Sequence, residues 1–334
     1  MRKNGSAMND DKIANGPQTG VRRVVVEEDR TGQRLDNFLH ATLKGVPKSR
    51  IYQMIRKGEV RINKGRARAD SKLQGGDTVR IPPVRMDHSA VPVAPGMSLA
   101  RRLESAVLFE DDALLIVNKP AGIAVHGGTG VNLGMIEALR QLRPECRFLE
   151  LAHRIDRDTS GCLVICKKRA LLRHLHQQIR DRLVVKIYQT AVHGRWPSTI
   201  RQVSYPLLKQ TLPSGEWLVK VHPAGKTALT HFQVLHRYRQ MTLLKARLHT
   251  GRTHQIRVHT RHAGHPIIGD QKYGSQHTRT AANPPTLMPD RLFLHASSIG
   301  FYLPDGSFRE FSAPLPAELA TFLEQSTDVS ANLA

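Results

Sequence analysis

The chain of 334 residues has few cysteines and no long apolar segment. Its three cysteines, Cys146, Cys162 and Cys166, do not make a disulfide framework and indicate a reducing compartment. The longest purely apolar runs are about five residues, whereas ~20 are needed to span a bilayer. Residues 1–20 lack the apolar segment of a secretion signal and predict a disordered tail. We therefore expect a cytoplasmic protein without a membrane partner.

Acidic residues are also scarce, at 28 against 50 lysines and arginines, which gives a net charge of +22. An excess this large points to a polyanion, with nucleic acid as the first candidate. Recognisable cofactor motifs are missing, because the chain contains neither GxGxxG nor GxxxxGK[ST]. The 17 histidines have no glutamate or cysteine at ligand spacing, so we predict no metal site. Cys162 and Cys166 lie in an apolar run and are expected to be buried.

Two modules are predicted, separated by a proline-rich joint. Residues 82–100 contain four prolines and no apolar periodicity, which is typical of a stiff, extended linker. We place the first module at residues 21–82, the linker at 83–104, the second module at 105–325 and a short tail at 326–334. A chain of this length exceeds one average domain, in agreement with that division.

The first module reads as helix, helix, hairpin. "RLDNFLHATLKG" and "PKSRIYQMIRKG" have apolar residues at helical spacing, whereas "EVRINK" and "TVRIP" alternate as strands. The segment from Lys44 to Lys72 carries ten basic and two acidic residues, and a merely solubilising surface would mix the signs. This layout resembles the S4 RNA-binding domain. We predict phosphate contacts from this segment, at Lys48, Arg50, Arg56, Lys57, Arg61, Lys64 and Arg66.

The second module mixes strands and helices without a regular alternation. "VLFEDDALLIVNKPAG" predicts two strands around a turn, "LAHRID" and "CLVICKK" predict strand, loop, strand, and "LVVKIYQTAVHG" predicts a further strand. "RALLRHLHQQIRD" predicts a helix with Leu172, Leu175, His176 and Ile179 on one face. A hairpin over 228–251 and a short helix ended by Gly264 follow. The chain is therefore expected to be α+β, with a mixed, largely antiparallel sheet flanked by helices.

The segment "HRIDRDTSG", residues 153–161, concentrates charge at the edge of an apolar strand. Asp156 has Arg154 and Arg157 as chain neighbours, and nearby cations lower the pKa of a carboxyl and keep it ionised. An ionised aspartate suits a nucleophile or a charge stabiliser, but a structural ion-pair cluster explains the same residues. Asp158 is predicted to cap or pair locally, because carboxylates that act as a catalytic pair usually come from separate elements.

Four blocks in order, "NKPAGIAVHGG", "HRIDRDTSG", "KIYQTAVHG" and "HTGRTHQIRVH", resemble the RluA-type pseudouridine synthases, with Ile155 where the family usually has leucine. The resemblance covers about residues 21–320 and implies the pseudouridine synthase fold. It also implies isomerisation of uridine in large-subunit (23S) ribosomal RNA, without cofactor or metal. We expect the chain to act as a monomer. By the same resemblance Asp156 is the catalytic aspartate, Tyr188 stacks on the base and handles protons, Arg257 pairs with the aspartate, and Arg154 contacts RNA near the displaced base.

Other readings stay open from the sequence. One is an RNA chaperone with an S4 domain and an inactive second domain, although the joint presence of Asp156, Tyr188 and Arg257 weighs against it. Another keeps the enzyme and changes the substrate to transfer RNA or another ribosomal uridine. The residues also leave open whether Asp156 attacks the nucleotide or removes a ribose proton.

Overall fold

The computed structural model describes residues 20–43, 45–84, 96–127, 133–212, 216–274 and 289–326. The chain divides into two compact units, residues 1–93 and 94–334. The tails predicted for 1–20 and 326–334 lie outside the described residues, apart from Gly20 and Ser326. In the described ranges, no helix is long and apolar enough to cross a membrane.

The first unit packs two helices against a small sheet. Its elements are β1 (Arg22–Val25), α1 (Leu35–Thr42), α2 (Lys48–Arg56), β2 (Arg61–Ile62), β3 (Gly65–Arg66) and β4 (Thr78–Ile81). The sheet order is β1-β4-β2-β3, with every pairing antiparallel. The apolar residues at helical spacing, including Leu35, Phe38, Ile51 and Met54, form its core. Both predicted helices are confirmed, whereas the two short strands β1 and β3 were missed.

The β2–β3 hairpin turns on two residues in the left-handed region, Asn63 at φ 48° and Lys64 at φ 70°. Positive φ at both central positions is the geometry of a type I′ turn, whose twist matches that of the flanking strands. This hairpin, within residues 61–66, was not predicted, whereas the predicted antiparallel pairing of "EVRINK" with "TVRIP" is present as β2 with β4. The strand "TVRIP" pairs with β2 from its other side.

The second unit is built on one large sheet. Its strands are β5 (Val107–Glu110), β6 (Leu114–Lys119), β7 (Glu150–Leu151), β8 (Ser160–Cys166), β9 (Val185–His193), β10 (Gln202–Ser204), β11 (Leu207–Thr211), β12 (Trp217–Val221), β13 (Leu229–Arg237), β14 (Met241–Leu248), β15 (Leu294–Tyr302) and β16 (Phe308–Ser312). Its helices are α3 (Met97–Glu104), α4 (Met135–Leu142), α5 (Arg169–Arg180), α6 (Gln255–His262) and α7 (Ala317–Glu324).

The main sheet has the strand order β10-β13-β14-β9-β15-β8-β6-β5, with β7 added on β8 and β16 on β15. The β15–β8 pair is parallel, and its other pairings are antiparallel. β11 and β12 form a separate two-stranded ribbon. The prediction of a mixed, largely antiparallel sheet with flanking helices is confirmed.

Strand β8 explains the apolar run "CLVIC". Leu163 and Ile165 enter the core cluster that includes residues of α3, α4 and α7, whereas Cys162, Val164 and Cys166 enter a cluster on the other side with residues of α5. A strand covered on both faces is apolar at successive positions instead of alternating. The expectation that these two cysteines are buried is confirmed.

Two local predictions agree with the structure only in part. Residues 97–104 of the predicted linker form helix α3, and residues 85–95 lie outside the described ranges. On helix α5, Leu175 is buried and Leu172 and Ile179 pack against the same core cluster as predicted, whereas His176 is exposed and Leu171 and Gln178 are buried. Gln178 is buried because its amide hydrogen-bonds both the N–H and the C=O of Tyr302, at 2.9 and 2.7 Å. A polar side chain satisfied in this way takes a place that periodicity assigns to an apolar one.

Candidate active site

The loop between β7 and β8, residues 152–159, carries Asp156 and is fixed at several points. Ile155 is buried in the main core, and the N–H of Thr159 donates to the C=O of Asp156 at 3.2 Å. Gly161 follows at φ +113°, where an added Cβ would lie 2.2 Å from the C=O of Ala296 on β15. No larger residue fits there, so the glycine of "TSG" allows the start of β8 to pack closely against β15.

Lys119, at the end of β6, ties this loop to its neighbour. Its ammonium group is fully buried and donates to the C=O groups of Pro120, Ile123 and Arg157, at 2.8, 2.9 and 2.9 Å. Burial lowers the pKa of Lys119 to about 7, and the Arg291 charge adds to that effect. Three carbonyl acceptors satisfy the three donors of a lysine. Lys119 thus holds the segment next to Asp156 in one conformation.

The carboxylate of Asp156 is the point where two cavities meet. Asp156 and His254 line both a cleft of about 1090 Å³ and a second cavity of about 570 Å³. The Asp156 side chain is 19% exposed, and within the described part of the chain its carboxylate makes no hydrogen bond. The nearest basic nitrogen there is Nε2 of His254, 3.9 Å from Oδ2. An unpartnered carboxylate at a cavity junction is free to react with a bound molecule.

The pKa of Asp156 is raised above its ordinary value, which reverses the direction predicted from the neighbouring arginines. Burial of the carboxyl is the dominant cause and outweighs the opposing charges of Arg257, Arg154 and Lys119. Arg154 and Arg157 are exposed, so water screens their charges. Two adjacent arginines in a sequence therefore do not determine the direction of the shift. Arg157 lies near Asp158, with Nε 3.9 Å from Oδ1, as a local exposed pair.

Arg257, on helix α6, has a direct partner other than the one predicted. Its Nε and Nη2 donate to Asp270 Oδ2 and Oδ1 at 2.8 and 2.7 Å, and both side chains are almost fully buried. Asp270 also accepts from the N–H groups of Lys272 and Tyr273. Arg257 lines the larger cleft beside Asp156 and acts on it through its charge. The predicted Arg257–Asp156 ion pair is thus replaced by a bidentate Arg257–Asp270 pair.

Tyr188 lies on β9, buried at 7% exposure, and lines the second cavity together with Asp156. Burial, reinforced by the Asp156 charge, raises the pKa of its hydroxyl. The phenol is therefore protonated at neutral pH, as a hydrogen-bond donor or proton source requires. The structure brings Tyr188, Asp156 and Arg257 around the two adjoining cavities.

Basic groups surround the second cavity. Arg154 lines it, together with Arg180, Arg182, Lys186 and Arg252. Burial lowers the pKa of Lys186. A concave site with this charge attracts anionic groups such as RNA phosphates. Among the described residues, no group of three or more His, Cys, Asp or Glu side chains is placed to hold a metal ion.

The basic residues predicted to bind RNA in the first unit are mostly exposed. Lys48, Arg56, Lys57, Arg61, Lys64 and Arg66 are exposed, and Arg50 is half-buried. Arg50 hydrogen-bonds Gln53 and lies 3.4 Å from the Glu59 carboxylate, so part of its capacity is already used. Lys64 stands at the hairpin turn. Lys44, the first residue of the predicted basic segment, lies outside the described residues.

Sequence reasoning missed three residues of the site, Lys119, His254 and Asp270. Lys119 ends an apolar strand directly before a proline, and a charged residue at the end of a buried strand is a recognisable signal. His254 lies inside "HTGRTHQIRVH", where the sequence pattern raises only metal binding for the histidines. Asp270 is in "IIGDQKYG", outside the four segments that resemble the family, and its pairing with Arg257 depends on the position of helix α6.

Comparison with known proteins gives concordant findings. Residues 113–262 match the RNA pseudouridylate synthase family model, and residues 33–79 match the S4 domain. The chain is similar to ribosomal large subunit pseudouridine synthase C of Haemophilus influenzae, at 52% identity over 94% of this chain and 97% of that protein. It is also similar to the proteins of that name from Pasteurella multocida (51% identity, 94% of this chain, 95% of that one) and Escherichia coli K12 (48%, 91% and 96%).

Among solved structures, the chain is similar to human RNA pseudouridylate synthase domain containing 4. The TM-score is 0.54 at 26% identity, over 68% of this chain and 95% of that one. A second human structure, RNA pseudouridylate synthase domain containing 1, has a TM-score of 0.51 at 21% identity over 71% and 99% of the two chains, and supports the fold alone.

Proposed function

The chain belongs to the RNA pseudouridylate synthase family, and on that premise we propose that it isomerises specific uridines of large-subunit (23S) ribosomal RNA to pseudouridine. In this reaction the bond between N1 and C1′ breaks and a bond between C5 and C1′ forms, while C5 loses a proton and N1 gains one. Substrate and product are isomers, so the conversion consumes no oxidant, reductant or group donor. We therefore propose that the enzyme uses no cofactor.

We assign the central role to Asp156. The observation that carries this assignment is its carboxylate without a hydrogen-bond partner in the described chain, at the junction of two cavities. That carboxylate either adds to C1′ or removes a ribose proton, and both require an ionised oxygen within reach of the sugar. The target uridine must leave the helical stack, because no side chain reaches C1′ and C5 together inside a duplex.

Tyr188 and Arg257 are proposed to assist Asp156. Tyr188 presents a protonated phenol to the cavity that it shares with Asp156, which suits stacking on the base and transfer of a proton. Arg257, held by Asp270, adds a fixed positive charge beside the carboxylate. Arg154 is exposed at the rim of that cavity and is proposed to contact RNA around the displaced base.

The first unit is proposed to hold structured RNA. Its support is the match to the S4 domain and the exposed basic side chains of α2 and the β2–β3 hairpin. The domain limits predicted from sequence, 21–82 and 105–325, are part of this proposal. We also propose that the protein acts as a monomer in the cytoplasm. Light scattering during gel filtration tests the first statement, and imaging of a tagged chain in cells tests the second.

Release of tritium tests the reaction directly. A large-subunit RNA fragment labelled with tritium at uridine C5 should lose label to water during incubation with the protein. Asp156→Asn keeps the shape of the side chain and removes its charge, so turnover should fall at least about a hundredfold, because loss of the reacting carboxylate removes several kcal/mol of transition-state stabilisation. Asp181→Asn is the matched control, since this carboxylate is exposed at the end of helix α5 and hydrogen-bonds Gln177 one helical turn earlier.

The tritium-release assay distinguishes the proposed function from its alternatives. Absence of release by the wild-type protein on large-subunit RNA, with RNA binding intact, would favour the chaperone. Release of tritium from transfer RNA but not from large-subunit RNA would identify transfer RNA as the substrate. Asp156→Asn with more than about one hundredth of wild-type turnover would remove Asp156 from the reaction.

A further inference from the structure

His254 occupies an unusual backbone position next to Asp156. It precedes helix α6 as its N-cap residue, with φ 54° and ψ 22° in the left-handed region, and no side-chain cap is formed. Non-glycine residues in this region are uncommon and cluster at functional sites, where surrounding contacts maintain the strain. The conformation places the imidazole at the junction of the two cavities, 9% exposed.

Two contacts bear on which ring nitrogen of His254 carries the proton. The hydroxyl oxygen of Tyr273 accepts the backbone N–H of Val219 at 3.1 Å and lies 2.7 Å from Nδ1 of His254. We assign the Tyr273 hydroxyl as the donor to Nδ1, because a lone pair on Nε2 would otherwise face the Asp156 carboxylate. In the neutral ring the proton then lies on Nε2. Nε2 is the nitrogen that faces Oδ2 of Asp156.

The orientation of the His254 imidazole is fixed by stacking, and the ring is neutral at neutral pH. Trp217 stacks on it, with ring centroids 4.9 Å apart and an interplanar angle of 28°. The ammonium groups of Lys209 and Lys272 lie 4.2 and 4.7 Å from the centroid of the Trp217 ring. Burial, together with the charges of Arg257 and Lys272, lowers the pKa of His254 to about 3. At neutral pH Nε2–H is thus an uncharged donor.

We propose that His254 is a positioning residue, whose Nε2–H group orients Oδ2 of Asp156 and leaves Oδ1 free to react with the ribose. The inference rests on the proposed function. The 3.9 Å separation is longer than a hydrogen bond, and such contacts often tighten when the substrate is bound. An uncharged donor fixes the direction of the carboxylate without the full ion pair that an imidazolium would form.

The test compares four variants in the tritium-release assay, each checked for a wild-type melting profile. His254→Phe removes the donor, and His254→Gln keeps an amide donor near the position of Nε2. Tyr273→Phe removes the group that directs the tautomer and leaves His254 in place. His262→Gln is the control, because His262 is exposed on the same helix.

His254→Phe should lower kcat roughly tenfold or more, the factor that corresponds to a hydrogen bond to a charged group, with little change in KM. His254→Gln should recover part of this loss. The pH dependence of kcat, which reports the enzyme–substrate complex in which this contact tightens, gives the readout that a purely structural role would not move. A hydrogen bond favours the ionised carboxylate, so its removal should shift the acid limb to higher pH.

Several charged or titratable groups around Asp156 influence its ionisation and therefore the acid limb. They are Arg154 and Asp158 on its loop, Lys119 on β6, Tyr188 on β9, and Arg257 and His254 at α6. In the His254 variants only His254 is changed, so a shift of the limb reports the loss of its Nε2–H group. Tyr273→Phe should shift the limb in the same direction by a smaller amount, because His254 can then place its proton on Nδ1.

The proposal is overturned if His254→Phe keeps kcat within about twofold, or if its kcat falls while the acid limb stays in place. If His254→Phe does not fold, Tyr273→Phe decides, and the proposal is overturned if the acid limb of this variant stays in place. Wild-type protein without tritium release would instead contradict the proposed function, so the two failures are distinguishable. A proton-correlated spectrum of nitrogen-15-labelled histidine should show His254 as the Nε2–H tautomer, and an Nδ1–H signal would contradict the assignment.

Discussion

The buried Arg257–Asp270 pair offers a sharp test of the geometry of the site. Asp270→Asn keeps an oxygen for the backbone N–H groups of Lys272 and Tyr273 but leaves the Arg257 guanidinium without its carboxylate. The two side chains are 6% and 0% exposed, so water cannot compensate the charge. Removing one partner of a buried ion pair costs roughly 3–5 kcal/mol. For a unit of this size that loss lowers Tm by roughly 6–20 °C.

A double-mutant cycle isolates the pair from the rest of the loop. In the Arg257→Met background the cation that pairs with Asp270 is gone, so Asp270→Asn should then cost under about 1 kcal/mol. Unfolding of all four proteins is measured by urea titration, with Asp158→Asn as a control whose exposed pair contributes at most about 0.5 kcal/mol. An equal loss of unfolding free energy on Asp270→Asn in both backgrounds would refute the reasoning. The Asp270 carboxylate would then stabilise the fold only through its hydrogen bonds with the backbone N–H groups.

Four further predictions concern other parts of the chain. Because burial raises the pKa of Asp156 above its ordinary value of 3.8, ionisation destabilises the fold as pH rises past that range. Asp156→Asn should therefore melt above the wild type at pH 7, and the difference should shrink towards pH 4. Lys119→Met leaves three carbonyls without their donor and should destabilise the second unit by at least about 2 kcal/mol in urea titration, with loss of tritium release. Tyr188→Phe retains the ring for stacking but removes the hydroxyl and its proton, so turnover should fall far more than RNA affinity. A rate within about threefold of wild type would mean that Tyr188 serves only in packing. Deletion of residues 1–93 should reduce the magnitude of the slope of log affinity for ribosomal RNA against log salt by about three, if about four basic groups contact phosphates. The remaining unit should still unfold cooperatively. An unchanged slope would mean that the basic segment does not contact RNA.

Much of the fold follows from local patterns. Apolar residues at helical spacing located α1, α2, α5 and α6, and alternation or continuous apolar runs located β5, β6, β8, β9 and the β13–β14 hairpin. Very short strands such as β1, β3 and β7 were missed or misplaced, because a few residues carry too little periodicity. Gln178 shows a further limit, since a polar residue is buried when a distant strand supplies its hydrogen bonds.

Identification of the site had a different basis. The four sequence blocks pointed to Asp156, Tyr188 and Arg257, and the structure brings these residues around adjoining cavities. Their assigned roles remain proposals. Composition alone indicated a polyanion partner, because net charge is a sum that needs no coordinates.

The sequence by itself indicated many of the element types and the basic first module, since these depend on side-chain chemistry and short-range spacing, and its resemblance to a family supplied the candidates for the reacting groups. Only the tertiary structure decided which groups are partners. Asp270 is 13 residues from Arg257, and Arg157 is 38 residues from Lys119. Val219 is 54 residues from the Tyr273 hydroxyl that orients His254. The sign of the Asp156 pKa shift was also decided there. That sign is the balance of desolvation against charges through space, and chain folding sets both the burial of the carboxyl and the distance to each charge.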